Sequence, residues 1–318
     1  MKKTGLFVTL LVLLVAVTGG CGGSLSRSNR MDSESSKDSV DISKTMDSVL
    51  IDTIVDDTLP ELSLHSEMLP SYYRYKFDSI TDVGANAHYE LAVDFPKSSV
   101  RNASTIRRWL FTKITETSST EDTSVMNIYD DNGVAKYASI QYFDDQRDEY
   151  GDFDIDDEDY TLSVFLCVEL QAKVCTDRFV SYLKFTHEYN GGTHGYYTEK
   201  LVSYDHVHQQ EIDNDYLFKP ECMDEVLTIL LEEAKKTSQY KKWNPDIMEY
   251  VSNKDEKGNK TGGFTLPCAG LTKDSIVFSF QPYAISCFAA GVFHFPVPYN
   301  RIKHCMTEKA LWCVGLTN

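Results

Sequence analysis

The sequence predicts an α+β fold with a largely antiparallel sheet, and three observations carry that expectation. Two stretches with apolar residues at helical spacing, 101–118 and 223–236, stand far apart in the chain. Three stretches of alternating β-branched and aromatic residues, 161–171, 179–189 and 196–205, cluster between them. Two more, 275–282 and 292–298, follow the second helix. Strands grouped between separate helices, instead of alternating with them one by one, pair mainly through antiparallel connections.

Taken in order, 101–118 sets Ile106, Trp109, Leu110 and Ile114 along one helical stripe, with Asn102 or Ser104 as the cap. The stretches 161–171 and 179–189 have the residue types that suit a pleated, half-buried surface. Lys173 and Asp177 fall between them, so the two form a hairpin. Strand 196–205 carries Tyr, Thr, Lys, Val and Tyr on one face. Helix 223–236 bears the stripe Val226, Ile229, Leu230 and Ala234, and Pro220 stands just ahead of its start. Strand 292–298 contains Pro296 and Pro298, which offer no N–H to a ladder, so it belongs at a sheet edge or a strand end. No internal repeat is found.

Ahead of these elements the chain has the layout of an export and tethering segment. Met1-Lys2-Lys3 is positive, Leu6 to Val17 is almost wholly apolar, and Thr18-Gly19-Gly20-Cys21 closes the run with small residues. That order describes a secretory signal. Its apolar run of about 12 residues is shorter than the roughly 20 a spanning helix needs. Gly19-Gly20-Cys21 resembles the lipobox of bacterial lipoproteins, although Thr18 stands where leucine is usual. The resemblance implies a diacylglycerol anchor on Cys21 as the new N-terminus; the plainer alternative is cleavage without lipidation. Residues 1–21 are therefore expected as a lipoprotein signal peptide and 22–67 as a flexible tether. A Ser- and Asp-rich stretch buries too little surface to offset chain entropy. Within it, Val49-Leu50-Ile51-Asp52-Thr53-Ile54-Val55 is a candidate docking strand. The residues after Cys21 lack an acidic cluster, which favours a periplasm-facing anchor over the cell surface.

The formal net charge of −17 argues against a nucleic-acid partner, whose phosphates demand Lys and Arg. It suits a cationic partner instead. The densest acidic run, 144–159, is expected as a solvated loop, since blocks of like charge repel. Asp152, Asp154 and Asp156 alternate like the first ligands of an EF-hand, but Asp157 stands where that loop needs glycine and the distal glutamate is missing. Besides Cys21 there are Cys167, Cys175, Cys222, Cys268, Cys287, Cys305 and Cys313, none in C-x-x-C spacing. Cys305 with Cys313, or Cys167 with Cys175, could pair in an exported protein; several sit in apolar runs and read as small buried hydrophobes.

One turn stands out. Tyr189-Asn190-Gly191-Gly192-Thr193-His194-Gly195 lies between two strands, and its glycines permit positive φ. It is either a tight structural turn or a binding loop. A second block comprises Gln281-Pro282-Tyr283-Ala284-Ile285, Ala289-Ala290-Gly291 and Phe295-Pro296-Val297-Pro298-Tyr299. With Asp215-Tyr216-Leu217-Phe218-Lys219 between them, these blocks resemble, in order and spacing, the C-terminal domain of unknown function in RsiV-type anti-sigma factors. The same domain precedes the catalytic region of PdaC-type peptidoglycan deacetylases. The resemblance spans about Phe185 to Lys303. It implies an RsiV-type C-terminal domain over 185–318, with packed helices on its sheet, preceded by a smaller N-terminal α+β domain over 68–184. It also implies an extracytoplasmic module and, in the RsiV-type sensor, binding of lysozyme.

The chain departs from the sensor in carrying a lipoprotein signal where that family has a sigma-binding segment and a spanning helix. Expected, then, is an envelope-anchored binding or sensing lipoprotein, a monomer, with the membrane as partner through Cys21. Its ligand would be a lysozyme-like cationic protein or a peptidoglycan component. The alternative is a peptidoglycan hydrolase or deacetylase using the Gly192-Thr193-His194 loop. No G-x-S-x-G elbow or H-E-x-x-H motif supports it, and no cofactor or metal is expected. His206 and His208 would share a strand face as a metal pair, but a catalytic zinc needs a third ligand, so they read as exposed loop histidines. The candidate binding residues are those of the 189–195 turn together with Tyr283, Ala289, Ala290, Gly291, Pro298 and Tyr299.

Overall fold

Alternating burial begins at Ala87, Tyr89, Leu91, Val93 and Phe95, the inward side of strand β2 (Asn86–Pro96). This strand pairs antiparallel with β1 (Tyr72–Asp82). The computed structural model describes residues 68–82, 86–115, 127–150 and 163–317, all within one structural unit. The expected signal peptide with Cys21, the 22–67 tether with its 49–55 strand, and Asp152, Asp154 and Asp156 lie outside the described residues.

After β2 come α1 (Ala103–Thr115) and α2 (Asp131–Tyr150), and β3 (Ser163–Cys175) then runs parallel to β2. A parallel pair needs a long crossover, and the two helices lie within it. The strands β4 (Phe179–Tyr189), β5 (Tyr196–Asp205) and β6 (Gln210–Ile212) follow as an antiparallel meander. The resulting six-stranded sheet runs β1-β2-β3-β4-β5-β6, and β2–β3 is its parallel pair. Helix 101–118, the hairpin and strand 196–205 thus stand where the sequence places them.

The chain is α+β. Helices α1 and α2 cover one face of the large sheet, where Trp109 stacks on Tyr204 at 5.0 Å and Tyr182 is fully buried. A short hairpin of β7 (Ser252–Lys254) and β8 (Lys260–Phe264) precedes a second sheet of β9 (Ala269–Leu271), β10 (Ser275–Phe280) and β11 (Phe293–Pro298), ordered β11-β10-β9. Among the described residues this sheet covers part of the other face, chiefly over β5, and Val174 of β3, Phe179 of β4 and Ile212 of β6 join the same C-terminal core. Leu183, Leu201 and Val277 make the contact between the sheets. A short helix α3 (Asn214–Leu217) follows β6, and helix α4 (Met223–Ala234) packs beyond the small sheet with Val226, Ile229 and Leu230 inward. Strand β11 is an edge, as Pro296 and Pro298 require.

Several expectations are corrected. The division between 184 and 185 falls inside β4, whose Val180 and Tyr182 serve the core under α1 and α2 while Phe179 serves the C-terminal core. One strand alternating between two cores leaves no boundary there. A bulge between Ala172 and Val174 adds a residue to β3, so Val174 turns away from the face of Ala172 and joins the C-terminal core. Residues 144–150 are the last turns of α2, not a loop. Ala135, Ala138, Tyr142 and Phe143 bury one side of that helix, while Asp144, Asp145, Asp148 and Glu149 face solvent. The charges of 144–150 are solvated as expected, but on a helical frame; 151–159 lie outside the described residues. Asn102 does not cap α1: at φ 57° it turns its amide onto the carbonyl of His206, 2.9 Å away.

Candidate functional site

Among the described residues, the small sheet covers only part of the second face of the large sheet and leaves the rest open. Phe165, Cys167 and Glu169 of β3, Phe185, His187 and Tyr189 of β4, and Tyr197 of β5 lie on it, and most are aromatic. Phe165 lies opposite Tyr189 and His187 opposite Tyr197 across the ladders. The rings follow one another: Phe165 to His187 at 4.7 Å, Phe185 to His187 at 6.4 Å, and Phe185 to Tyr197 at 6.1 Å. All are half-buried. Burial lowers the His187 pKa, which keeps its imidazole neutral at neutral pH, and raises that of Tyr197, with Glu199 adding to the effect.

The 189–195 turn extends this strip. Gly191 and Gly192 stand at φ 85° and 98°, values that side chains rarely adopt, and the turn so formed delivers His194 onto Phe288 at 4.7 Å. Tyr189 closes the turn by donating to the Gly192 carbonyl at 2.9 Å. His194 also faces Tyr283 at 6.5 Å, and Tyr197 meets Phe288 edge-on at 5.6 Å. Residues 89 positions apart are thereby joined into one aromatic cluster.

The bend that carries Tyr283 is clamped to β5 through Gln281, whose amide accepts from Glu199 N at 2.8 Å and donates to Glu199 O at 3.0 Å. Tyr283 itself sits at φ 67° with 58% of its surface exposed. A bulky residue in that region costs about 1–3 kcal/mol and persists where the surroundings over-determine it. Here the strain holds a large ring in solvent. Next to the strip, a groove on β1–β3 is lined by Arg74, Lys76, Asp78, Glu90 and Glu169, giving charge of both signs beside flat rings.

Of the residues expected in the site, Tyr189, Gly191, Gly192, His194 and Tyr283 come together. Asn190 and Thr193 flank them on the same turn, and Asn190 accepts from Tyr150 Oη at 3.3 Å. Gly195 packs against His187, and Gly291 against Tyr197. Ala289 is exposed and Ala290 buried beside Phe288. Pro298 ends β11 in an exposed position, whereas Tyr299 is buried in the C-terminal core and donates to the Thr272 carbonyl at 2.7 Å, so neither joins the cluster. Phe165, Phe185, His187, Tyr197 and Phe288 complete the cluster without having been singled out. For the four on β3 to β5, their common parity on neighbouring strands was the available signal; Phe288 comes instead from the 3₁₀ turn Phe288–Ala290.

His206 and His208 do not share a face. His206 is 1% exposed: its Nδ1 accepts from Asn102 at 3.2 Å and its Nε2 donates to the Thr176 carbonyl at 3.0 Å. That is the bonding of a neutral imidazole. His208 turns instead to Asp205, with Nδ1 2.7 Å from the carboxylate, and packs on Trp312. Burial pushes the buried Asp205 carboxyl up, but donation from the His208 backbone and Tyr216 brings it below its ordinary value.

A pH dependence follows from His206, whose folded pKa is lowered chiefly by burial. The unfolded chain then binds the proton better, so stability is full above about pH 6.5 and falls as pH drops below it. Urea midpoints should decline between pH 7.5 and 5.5, and less steeply in His206→Gln; equal slopes in both proteins would refute the assignment.

The sequence family described as "Protein of unknown function (DUF3298)" matches residues 215–300. A DUF3298 domain therefore occupies the C-terminal region; the matched span includes the whole of the second block and begins after the 189–195 turn. No curated protein matches the chain. Among solved structures, a DUF3298 family member from Bacteroides fragilis is similar with TM-score 0.55 and 15% identity, over 77% of this chain and 96% of that one. A DUF3298 family protein from Pseudomonas aeruginosa gives TM-score 0.48 and 11% identity, over 75% and 95%. The Bacteroides likeness supports the fold. Among the described residues, no helix is long and apolar enough to cross a membrane.

Proposed function

We propose that this chain is a binding protein of the bacterial envelope, lipid-anchored at Cys21, whose open sheet face and 189–195 turn hold a cell-wall component. The observation that carries the reading is the convergence of the turn and the Tyr283 bend on one exposed ring cluster. Flat rings beside carboxylates and amides suit a sugar chain, whose ring faces are apolar and whose edges carry hydroxyls. Binding needs only such a surface, whereas a hydrolase or deacetylase needs a positioned acid, base or metal at the same place.

Sedimentation of the full chain with purified peptidoglycan tests the reading. Binding is expected, and about tenfold or more weaker in Tyr283→Ala or Phe288→Ala, as for truncation of a central aromatic anchor. Retention of wild-type affinity by both variants would remove the site, and failure of the parent chain to sediment would remove the ligand. The net charge of −17 and the RsiV-type resemblance favour a second reading, capture of a cationic, lysozyme-like protein. Titration with lysozyme at low and high salt separates the two, because attraction between exposed charges is screened by salt.

A further inference from the structure

Cys222, Glu225 and Cys305 lie together although 83 residues separate the first from the last. Cys222 caps α4, Glu225 is the third residue of that helix, and Cys305 ends the short 3₁₀ turn Lys303–Cys305. Their two sulfurs and a carboxylate oxygen all lie within 4.8 Å of one another. We propose that these three residues form a binding site for a divalent transition metal of the zinc class.

The backbone prepares both sides of the site. Lys219 N donates to the Cys305 carbonyl at 2.9 Å, Cys222 N donates to the Lys219 carbonyl at 3.0 Å, and Phe218 bridges to Met306. The sulfurs are thus held by main-chain contacts on both segments. His304 Nε2 lies 2.7 Å from Glu225 Oε1 and orients that carboxylate, the usual outer-shell arrangement in which imidazole and carboxylate fix one another. Two thiolates select a soft or borderline ion over calcium or magnesium. Ligands at zinc bond lengths of about 2.0–2.3 Å lie roughly 3.3–3.8 Å apart, so a small side-chain adjustment closes the set. Cys305 is buried, Cys222 half-buried and Glu225 exposed, which leaves a fourth position facing solvent for water or a substrate atom. The positive end of α4 offsets part of the ligand charge. Binding releases a proton from each thiol. Without metal, burial and then the neighbouring Cys222 sulfur push the Cys305 thiol up to about 12.

Cobalt(II), used as a coloured stand-in for zinc, tests the site in the reduced full chain. One equivalent should bind with a thiolate-to-cobalt charge-transfer band that zinc bleaches. The band should vanish in Cys222→Ser and Cys305→Ser. Affinity should fall about 10–100-fold in His304→Ala, the range for loss of an outer-shell partner. The exposed Cys268→Ser and Cys287→Ser serve as controls that leave the band intact. Should Cys305→Ser misfold, Cys222→Ser and Glu225→Gln at the more accessible positions carry the test. Absence of the band in the parent chain, its persistence in Cys222→Ser, or a Cys222–Cys305 disulfide in protein taken from the native envelope overturns the proposal.

Discussion

Asp94→Ala is expected to lower the unfolding free energy by about 3 kcal/mol, within the range for breaking a buried ion pair from one side. The Asp94 side chain is fully buried in β2. It accepts from Arg74 Nε at 2.7 Å and Nη2 at 3.2 Å, a two-pronged contact that draws β1 onto β2. It also accepts from Ala172 N at 3.1 Å, beside the β3 bulge where the ladder register shifts. Removing the carboxylate strands that buried N–H and leaves the guanidinium with Glu169 alone, 2.7 Å away. Arg74 remains 27% exposed, so water recovers part of the loss and the estimate stays at the lower end of the range. Asp94→Asn keeps the shape and one acceptor and should cost less. Urea unfolding at pH 7 measures both; a loss below about 1 kcal/mol in the alanine variant would show that the three-strand junction does not depend on this group.

Gly270→Ala should cost about 3 kcal/mol or more, at or beyond the upper end for overpacking a core. Gly270 lies in β9 where the small sheet crosses β5. A Cβ at this position would stand 2.2 Å from Leu201 Cβ and 2.7 Å from Leu201 O. The obstacle is the partner strand itself, so no rotamer change relieves it. The two sheets would have to separate, opening the contact of Leu183, Leu201 and Val277 and stretching the Ser203 hydroxyl bond to Leu271 N, now 2.9 Å. Leu201→Ala retains its Cβ and carbonyl, so it should give no rescue in the double variant. Thermal unfolding of the four proteins of that cycle decides the matter. Recovery of most of the loss would show that the leucine side chain, not the strand backbone, sets the spacing.

Much of the fold is legible along the chain. Strands 179–189, 196–205 and 292–298 and helices 101–118 and 223–236 match β4, β5, β11, α1 and α4 within a few residues. Each buries one clear stripe, which periodicity detects. Helix α2 escapes because alanine and serine fill much of its inward side and charge surrounds it. β1 and β2 escape for a different reason: β1 keeps one charged face open to solvent, and β2 hides the buried Asp94.

The candidate site divides the same way. The 189–195 turn and the Tyr283 bend were recognisable as separate blocks, because glycine spacing and short motifs are properties of consecutive residues. That they meet through His194 and Phe288, that Tyr283 is held at positive φ, that His206 is buried, and that Cys222 reaches Cys305 were decided only by tertiary structure. A local pattern says which face of an element is apolar, not what will cover it. Here, among the described residues, the small sheet covers only part of one face of the large sheet, and that incomplete coverage leaves the aromatic strip half-exposed.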